Sequence, residues 1–304
     1  MSMRAVWSFW STPFTRGCGW GWREPLHHLL AWGLSLRLAR THYPDTTLVT
    51  DSHGQALLVD ALGLRFRTVS TALDALGDAD PQLWALGKLL TYSLQEDPFV
   101  HLDADVFLWR ALPGRLTGAP VLAQHPERWR VGAPWGDAGL IERAFAGARV
   151  DLPEEWRWAR ARWGELLLEC NTGIVGGTNV EFIRYYAGLV LDLALSPHAQ
   201  AAWAAIPARE TLTPLIEQFM LSACLDFHRT RPESPFRGVH ARYLVPSGEM
   251  AFDPRHAARF GYTHLLADAK HDGRIMRRLE QRVRDEDPAL YARCLEVAAG
   301  RLGC

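Results

Sequence analysis

Strand-like and helix-like stretches alternate with short connections through the first 109 residues, and that alternation constrains the fold most: it calls for a parallel sheet covered by helices. Residues 4–10, RAVWSFW, read as a first strand. The loop expected after it, STPFTRGCGWGW, carries Gly17, Gly19 and Gly21, which permit unusual backbone angles. Pro25 opens a helix in which Leu26, Leu29, Leu30, Gly33, Leu34 and Leu38 recur at helical spacing, up to a stop at His42-Tyr43-Pro44. Thr46 to Asp51 predicts a short strand, Ser52 to Gly63 a helix, Leu64 to Val69 an alternating strand, and 81–95 a helix opened by proline. The stretch FVHLDADVFLW, Phe99 to Trp109, closes the series as an apolar strand.

Sheets of this kind bind ligands in the crevice outside the carboxyl ends of their strands. Three segments are expected there: the loop after Trp10, Asp51, and the pair Asp103 and Asp105. Alternation along a strand places both aspartates on one face with Ala104 opposite, so both carboxylates can reach one divalent cation on a diphosphate. An Asp-x-Asp triplet is equally what a solvated turn or a helix cap supplies. Asp51 is open in the same way, to contact with a base or ribose or to capping of the next helix.

The second half is less regular. From Ala119 to Gly164 the chain is rich in Pro, Gly, Arg and Trp, which predicts loops and short helices lying over the sheet. LLLECNTGIVGG, Leu166 to Gly177, reads as a buried strand ending in a turn. Helices are expected over 179–195 and from Thr213 to Phe227, and a charged helix or two ends the chain. Of 13 Trp, several (Trp20, Trp22, Trp129, Trp135, Trp156, Trp158 and Trp163) sit in polar or Gly-rich stretches, where they line a groove or pack the core.

With 33 Lys plus Arg against 34 Asp plus Glu there is no excess of positive charge to recruit nucleic acid or an acidic membrane. The five Cys are widely spaced without a Cys-x-x-Cys pair, which fits neither a disulfide framework nor a zinc site. No stretch has the length of a membrane span, and no leader pattern precedes residue 10. We therefore expect a cytoplasmic protein with no transmembrane anchor and no nucleic-acid partner.

The segment WALGKLLTYSLQEDPFVHLDADVFL, from Trp84, resembles the Lys-bearing helix and Asp-x-Asp strand of nucleotide-sugar glycosyltransferases with the GT-A fold. The nearest likeness is to the retaining glycogenin and galactosyltransferase group. Further landmarks follow in the same order: Asn171-Thr172-Gly173 for the family's Asn-x-Gly turn, Glu217-Gln218 for its Asp-Gln pair, and His264 with Lys270 for its C-terminal His and Lys. Ala267 stands where the family has Gly, and His271-Asp272 where it has Pro-Trp.

The resemblance implies a GT-A-type, Rossmann-like, mostly parallel sheet in one domain over 1–304, with a nucleotide-binding half at 1–115, an acceptor-binding half at 116–265, and a closing loop and helices at 266–304. It implies a metal-dependent transfer of a sugar from a nucleotide diphosphate, a UDP-sugar by preference, to a glycan, peptide or small-molecule acceptor, with retention. Asp103, Asp105 and His264 would hold Mn2+ or Mg2+, the imidazole favouring manganese. Lys88, Lys270, Asp51, Ala104 and Trp10 would meet the donor nucleotide or diphosphate. Glu217, Gln218 and Asn171 would act at the sugar, with Glu169, on the Asn171 strand face, a rival carboxylate and His101 a supporting residue beside Asp103. A non-catalytic nucleotide- or carbohydrate-binding protein and a nucleotidyltransferase are the alternatives on such a sheet.

Overall fold

A computed structural model of the chain describes residues 3–17, 21–132 and 136–301. The fold is α/β, built on a seven-stranded, mostly parallel sheet flanked by helices. Its strands are β1 (Arg4–Phe9), β2 (Thr46–Thr50), β3 (Thr68–Ser70), β4 (Phe99–Leu102), β6 (Val121–Ala123), β9 (Ile174–Gly177) and β10 (Ala241–Tyr243), in the order β10-β6-β9-β4-β1-β2-β3. Only β9 runs against its neighbours β4 and β6. Two further antiparallel pairs stand outside this sheet: β5 (Val106–Leu108) with β11 (Tyr262–His264), and β7 (Pro126–Arg130) with β8 (Leu166–Cys170).

Alternation along the strands divides the core in two. Val6, Val49 and Phe99 point into one cluster with Leu86, Leu89, Phe182, Tyr186 and Phe219, under the helices Leu86–Ser93, Val180–Leu195 and Met220–Thr230. Ala5, Trp7, Leu48 and Val100 point into the other with Leu29, Leu30, Trp32, Met276 and Leu279, under Pro25–Arg40, Gly273–Glu286 and Pro288–Arg301. With both faces covered, the central strands bury nearly every residue, which is why they read as continuous apolar runs. Among the described residues no helix is long and apolar enough to cross a membrane.

Several expectations change: the strand expected over Phe99–Trp109 is two, β4 and β5, in different sheets, and the helix expected over 81–95 is Leu86–Ser93, with Pro81 in the turn before it. The segment after β1 is not a loop at its start: Ser11–Thr15 is a short helix. Of Leu64 to Val69 only the end is a strand, because Leu64 N–H bonds back to Leu58 C=O, 3.0 Å, and Gly63 turns the chain at φ 68°. The region 119–164 holds two strands, β6 and β7, besides the helices Ala138–Ala148 and Glu154–Trp163. The single strand expected from Leu166 to Gly177 is two, broken at Asn171-Thr172-Gly173 so that β8 and β9 belong to different sheets. Trp156 is buried in the core against Phe219, whereas Trp20, Trp135 and Gly19 lie outside the described residues.

Asp51 fastens the carboxyl ends of β1 and β2 together. Its Oδ1 accepts from Gly54 N–H at 2.6 Å and so caps the helix Ser52–Gln55. Its Oδ2 accepts from both the N–H and the hydroxyl of Ser11, each at 2.8 Å. Asp51→Ala removes this cap and leaves buried donors unpaired, so unfolding in urea should show a loss of about 1–2 kcal/mol.

Candidate metal and donor site

The aspartate pair sits where β4 meets β5, and the local geometry is a turn, closed by Val106 N–H to Asp103 C=O at 3.0 Å. The two carboxylates therefore converge through that turn and not through strand alternation. The β5–β11 pairing then brings in the third group: His264 lies opposite Val106, and Leu265 N–H donates to Asp105 C=O at 3.1 Å. One ligand atom from each of Asp103, Asp105 and His264 lies within 4.8 Å of the other two. Such a set of two carboxylates and an imidazole suits a divalent ion.

Hydrogen bonds on the far side of His264 set which nitrogen faces this point. Glu127 Oε1 accepts from His125 Nε2 at 2.8 Å, so with one proton on that ring Nδ1 is an acceptor. Gln124 Nε2 donates to that Nδ1 at 3.2 Å, which turns Gln124 Oε1 toward His264 Nδ1 at 2.9 Å. His264 Nδ1–H donates there, and its Nε2 faces Asp105 Oδ1 at 3.4 Å. A ring lone pair and a carboxylate oxygen aimed at each other are two acceptors, and a cation between them satisfies both. Gln124 and His125 are fully buried. Gly173 leaves the space for the ring, since a Cβ there would come within 2.3 Å of His264 Cε1.

Two lysines complete the electrostatics. Lys270 Nζ reaches Asp105 Oδ2 at 2.6 Å. Burial works to raise the Asp105 pKa, but the Lys270 ammonium beside it outweighs that and holds the carboxyl far below its ordinary value. Lys88 Nζ bridges Asp103 Oδ1 at 3.0 Å and Glu217 Oε1 at 2.7 Å. Its burial favours loss of the proton, and the two carboxylates overcome that and raise its pKa. Glu217 is itself raised, by burial and then by Asp103, against the pull of Lys88. One ammonium thus serves two carboxylates, an arrangement with room for further positive charge.

The cleft holding these groups has a volume of about 530 Å³. Trp10, Ala104, Asn171, Gln218 and Trp22 line it together with the charged cluster. Glu217 and Gln218 occupy a π-helical turn, Leu215–Phe219, that sequence periodicity does not separate from the helix continuing after it. Glu217 is fully buried, its Oε1 also accepting from Thr172 Oγ1 at 2.7 Å, while its Oε2 finds no partner among the described residues. Asn171 donates to Glu127 Oε1 at 2.8 Å and accepts from Gly173 N–H at 3.1 Å. His101 is buried, 3.8 Å from Asp103 Oδ1 and 2.9 Å from Ser8 Oγ.

Two candidates lie elsewhere. Asp51 does not border the cleft, its oxygens being taken by Gly54 and Ser11. Glu169 borders a separate cavity instead. The residues that sequence reasoning missed are Gln124, His125 and Glu127, which lie in a stretch with no motif and reach the site through the β7–β8 pairing and the turn at 171–173, and Thr172, which the Asn-x-Gly turn contains but gives no role. Gln124→Leu removes the acceptor that orients His264. Manganese affinity followed by electron paramagnetic resonance should fall about 10–100-fold.

No curated protein matches this chain. A match over residues 3–297 covers nearly its whole length, and the chain accordingly belongs to DUF6734, a family of unknown function.

Proposed function

We propose that the protein is a metal-dependent glycosyltransferase that uses a nucleotide-diphosphate sugar, a UDP-sugar by preference, on a GT-A-type arrangement. The observation that carries this reading is the convergence of Asp103, Asp105 and His264, the last 159 positions beyond Asp105 (264 − 105), at a strand end flanked by Lys88 and Lys270. Breaking a glycosidic bond to a diphosphate demands that the departing phosphate oxygens be neutralised as their charge develops. A manganese or magnesium ion on the three ligands supplies Lewis-acid stabilisation of that charge.

The remaining roles belong to the chain. Lys270 and Lys88 add point charges within the same cleft, suited to phosphate oxygens. Trp10 and Ala104 line the part of the cleft at the ends of β1 and β4, suited to the nucleotide. Glu217, Gln218 and Asn171 are further polar groups bordering the cleft, suited to the sugar. Glu217, held by Lys88, Thr172 and Tyr92, is a fixed carboxylate that can stabilise positive charge at the anomeric carbon, in keeping with retention.

Incubation with manganese and a panel of sugar nucleotides should give hydrolysis or transfer with at least one donor. Asp105→Asn should slow that reaction by about a hundredfold or more while circular dichroism stays unchanged. Saturable UDP binding with no turnover of any donor would favour a non-catalytic binding protein, and the absence of both binding and turnover in the folded chain would refute the proposal.

A further inference from the structure

A second cavity, of about 820 Å³, lies on the other side of Asn171 from the metal cleft. Asn171 forms part of the partition: it borders the cleft, and its amide donates to Glu127, which borders the second cavity. The floor of the second cavity is the β7–β8 ribbon, in which Glu127 and Glu169 lie directly opposite each other. They are not equivalent. Glu127 is saturated, accepting from His125, Asn171 and Trp129. Glu169 is 3% exposed, and its Oε1 has no hydrogen-bond partner among the described residues. A buried carboxyl oxygen without a partner, on a residue that borders a cavity, is a polar group that a ligand donor or acceptor can satisfy.

The charge state of this floor narrows the ligand. Burial, and then the Glu127 charge across the ribbon, push the Glu169 pKa well up, which favours the carboxylic acid, a group that both donates and accepts. Glu127 is drawn the other way by its donors, against burial, and stays ionised. An anionic ligand meets that charge. A cation finds it already bonded to three donors, and the remaining charges on the wall are of both signs, Arg128 and Arg229 with Asp226 and Glu249, Asp226 being held by Arg162 and Arg229. An uncharged hydroxyl group is what Glu169 can serve.

The walls are aromatic. Trp129, Trp163, Tyr243 and Phe252 border the cavity, and Trp129 is held in place by its bond to Glu127 Oε2 at 3.1 Å. Phe252 is 52% exposed at this wall, an aromatic ring left facing open space. A cavity of this size with flat apolar walls and a few convergent polar groups suits a ring that is apolar on its face and polar at its edge.

We propose that the second cavity binds a neutral saccharide unit, with a hydroxyl on Glu169 and a ring face against the Trp129 and Phe252 walls. On the glycosyl-transfer reading this is the acceptor, so the inference deepens that reading. The binding itself involves neither donor nor metal.

The test is calorimetry on the full chain without nucleotide or metal, using maltose, cellobiose, lactose and sucrose as neutral probes and glucosamine and glucuronate as charged ones. At least one neutral disaccharide should bind saturably and at least about tenfold more tightly than either charged sugar. Glu169→Gln, which keeps an uncharged donor and acceptor, should retain that binding, and Glu169→Leu should weaken it about tenfold or more. Phe252→Ala, at an exposed position that spares the core, should weaken it also. The proposal is overturned if no neutral probe saturates, if a charged sugar binds as tightly, or if folded Phe252→Ala and Glu169→Leu bind like the wild type. Failure here leaves donor turnover at the metal cleft untouched, and failure of turnover leaves this binding measurable.

Discussion

The candidate site depends on one short pairing, β5 against β11. Three residues on each strand, with Leu265 N–H bonded to Asp105 C=O, carry His264 from the far end of the chain to the aspartates that follow β4. The pairing is supported from beneath, because Val106, Leu108 and Tyr262 are all buried in the core cluster that also takes in the C-terminal helices. The price of that design is exposure to distant packing: anything that shifts the helix Gly273–Glu286 moves the strand leading into it. Burial of several large apolar side chains, each contributing about 1.5–3 kcal/mol, is what keeps so short a ribbon in register.

Around this ribbon the charges form one connected set. Asp103 is shared between Lys88 and the neighbourhood of His101, Asp105 between Lys270 and His264, and Glu217 sits beneath Lys88. Such a cluster is stable only while its cations are in place, since removing one partner of a buried pair leaves the other charge uncompensated. The chain Glu127, His125, Gln124, His264 extends the set outward and links the metal-side imidazole to the partition shared with the second cavity. Both cavities thus lean on Glu127, one through its histidine and one through its opposition to Glu169.

Much of the first half was legible because burial on both sheet faces imposes long apolar runs, and because Pro25 and the leucines after it mark a helix by spacing alone. The aspartates were legible as a motif but not as a shape: alternation along a strand was the wrong geometry, and the turn at Asp103-Ala104-Asp105 does the converging. Asp51 was readable two ways, and its hydrogen bonds to Gly54 and Ser11 select the cap. Strands β6 and β7 escaped notice because they are three and five residues long and, in β7, made of Pro, Glu, Arg and Trp. Gln124 and His125 escaped with them, since nothing local marks a buried amide whose partner is 140 positions away.

The most direct measurement is pulsed electron paramagnetic resonance on manganese bound to the full chain at one ion per molecule. The account predicts nitrogen modulation from one imidazole in the wild type, its loss in His264→Ala, and weakened ion binding in Asp103→Asn and Asp105→Asn. A spectrum without imidazole nitrogen, or one unchanged by His264→Ala, would contradict the claim that these three residues share an ion.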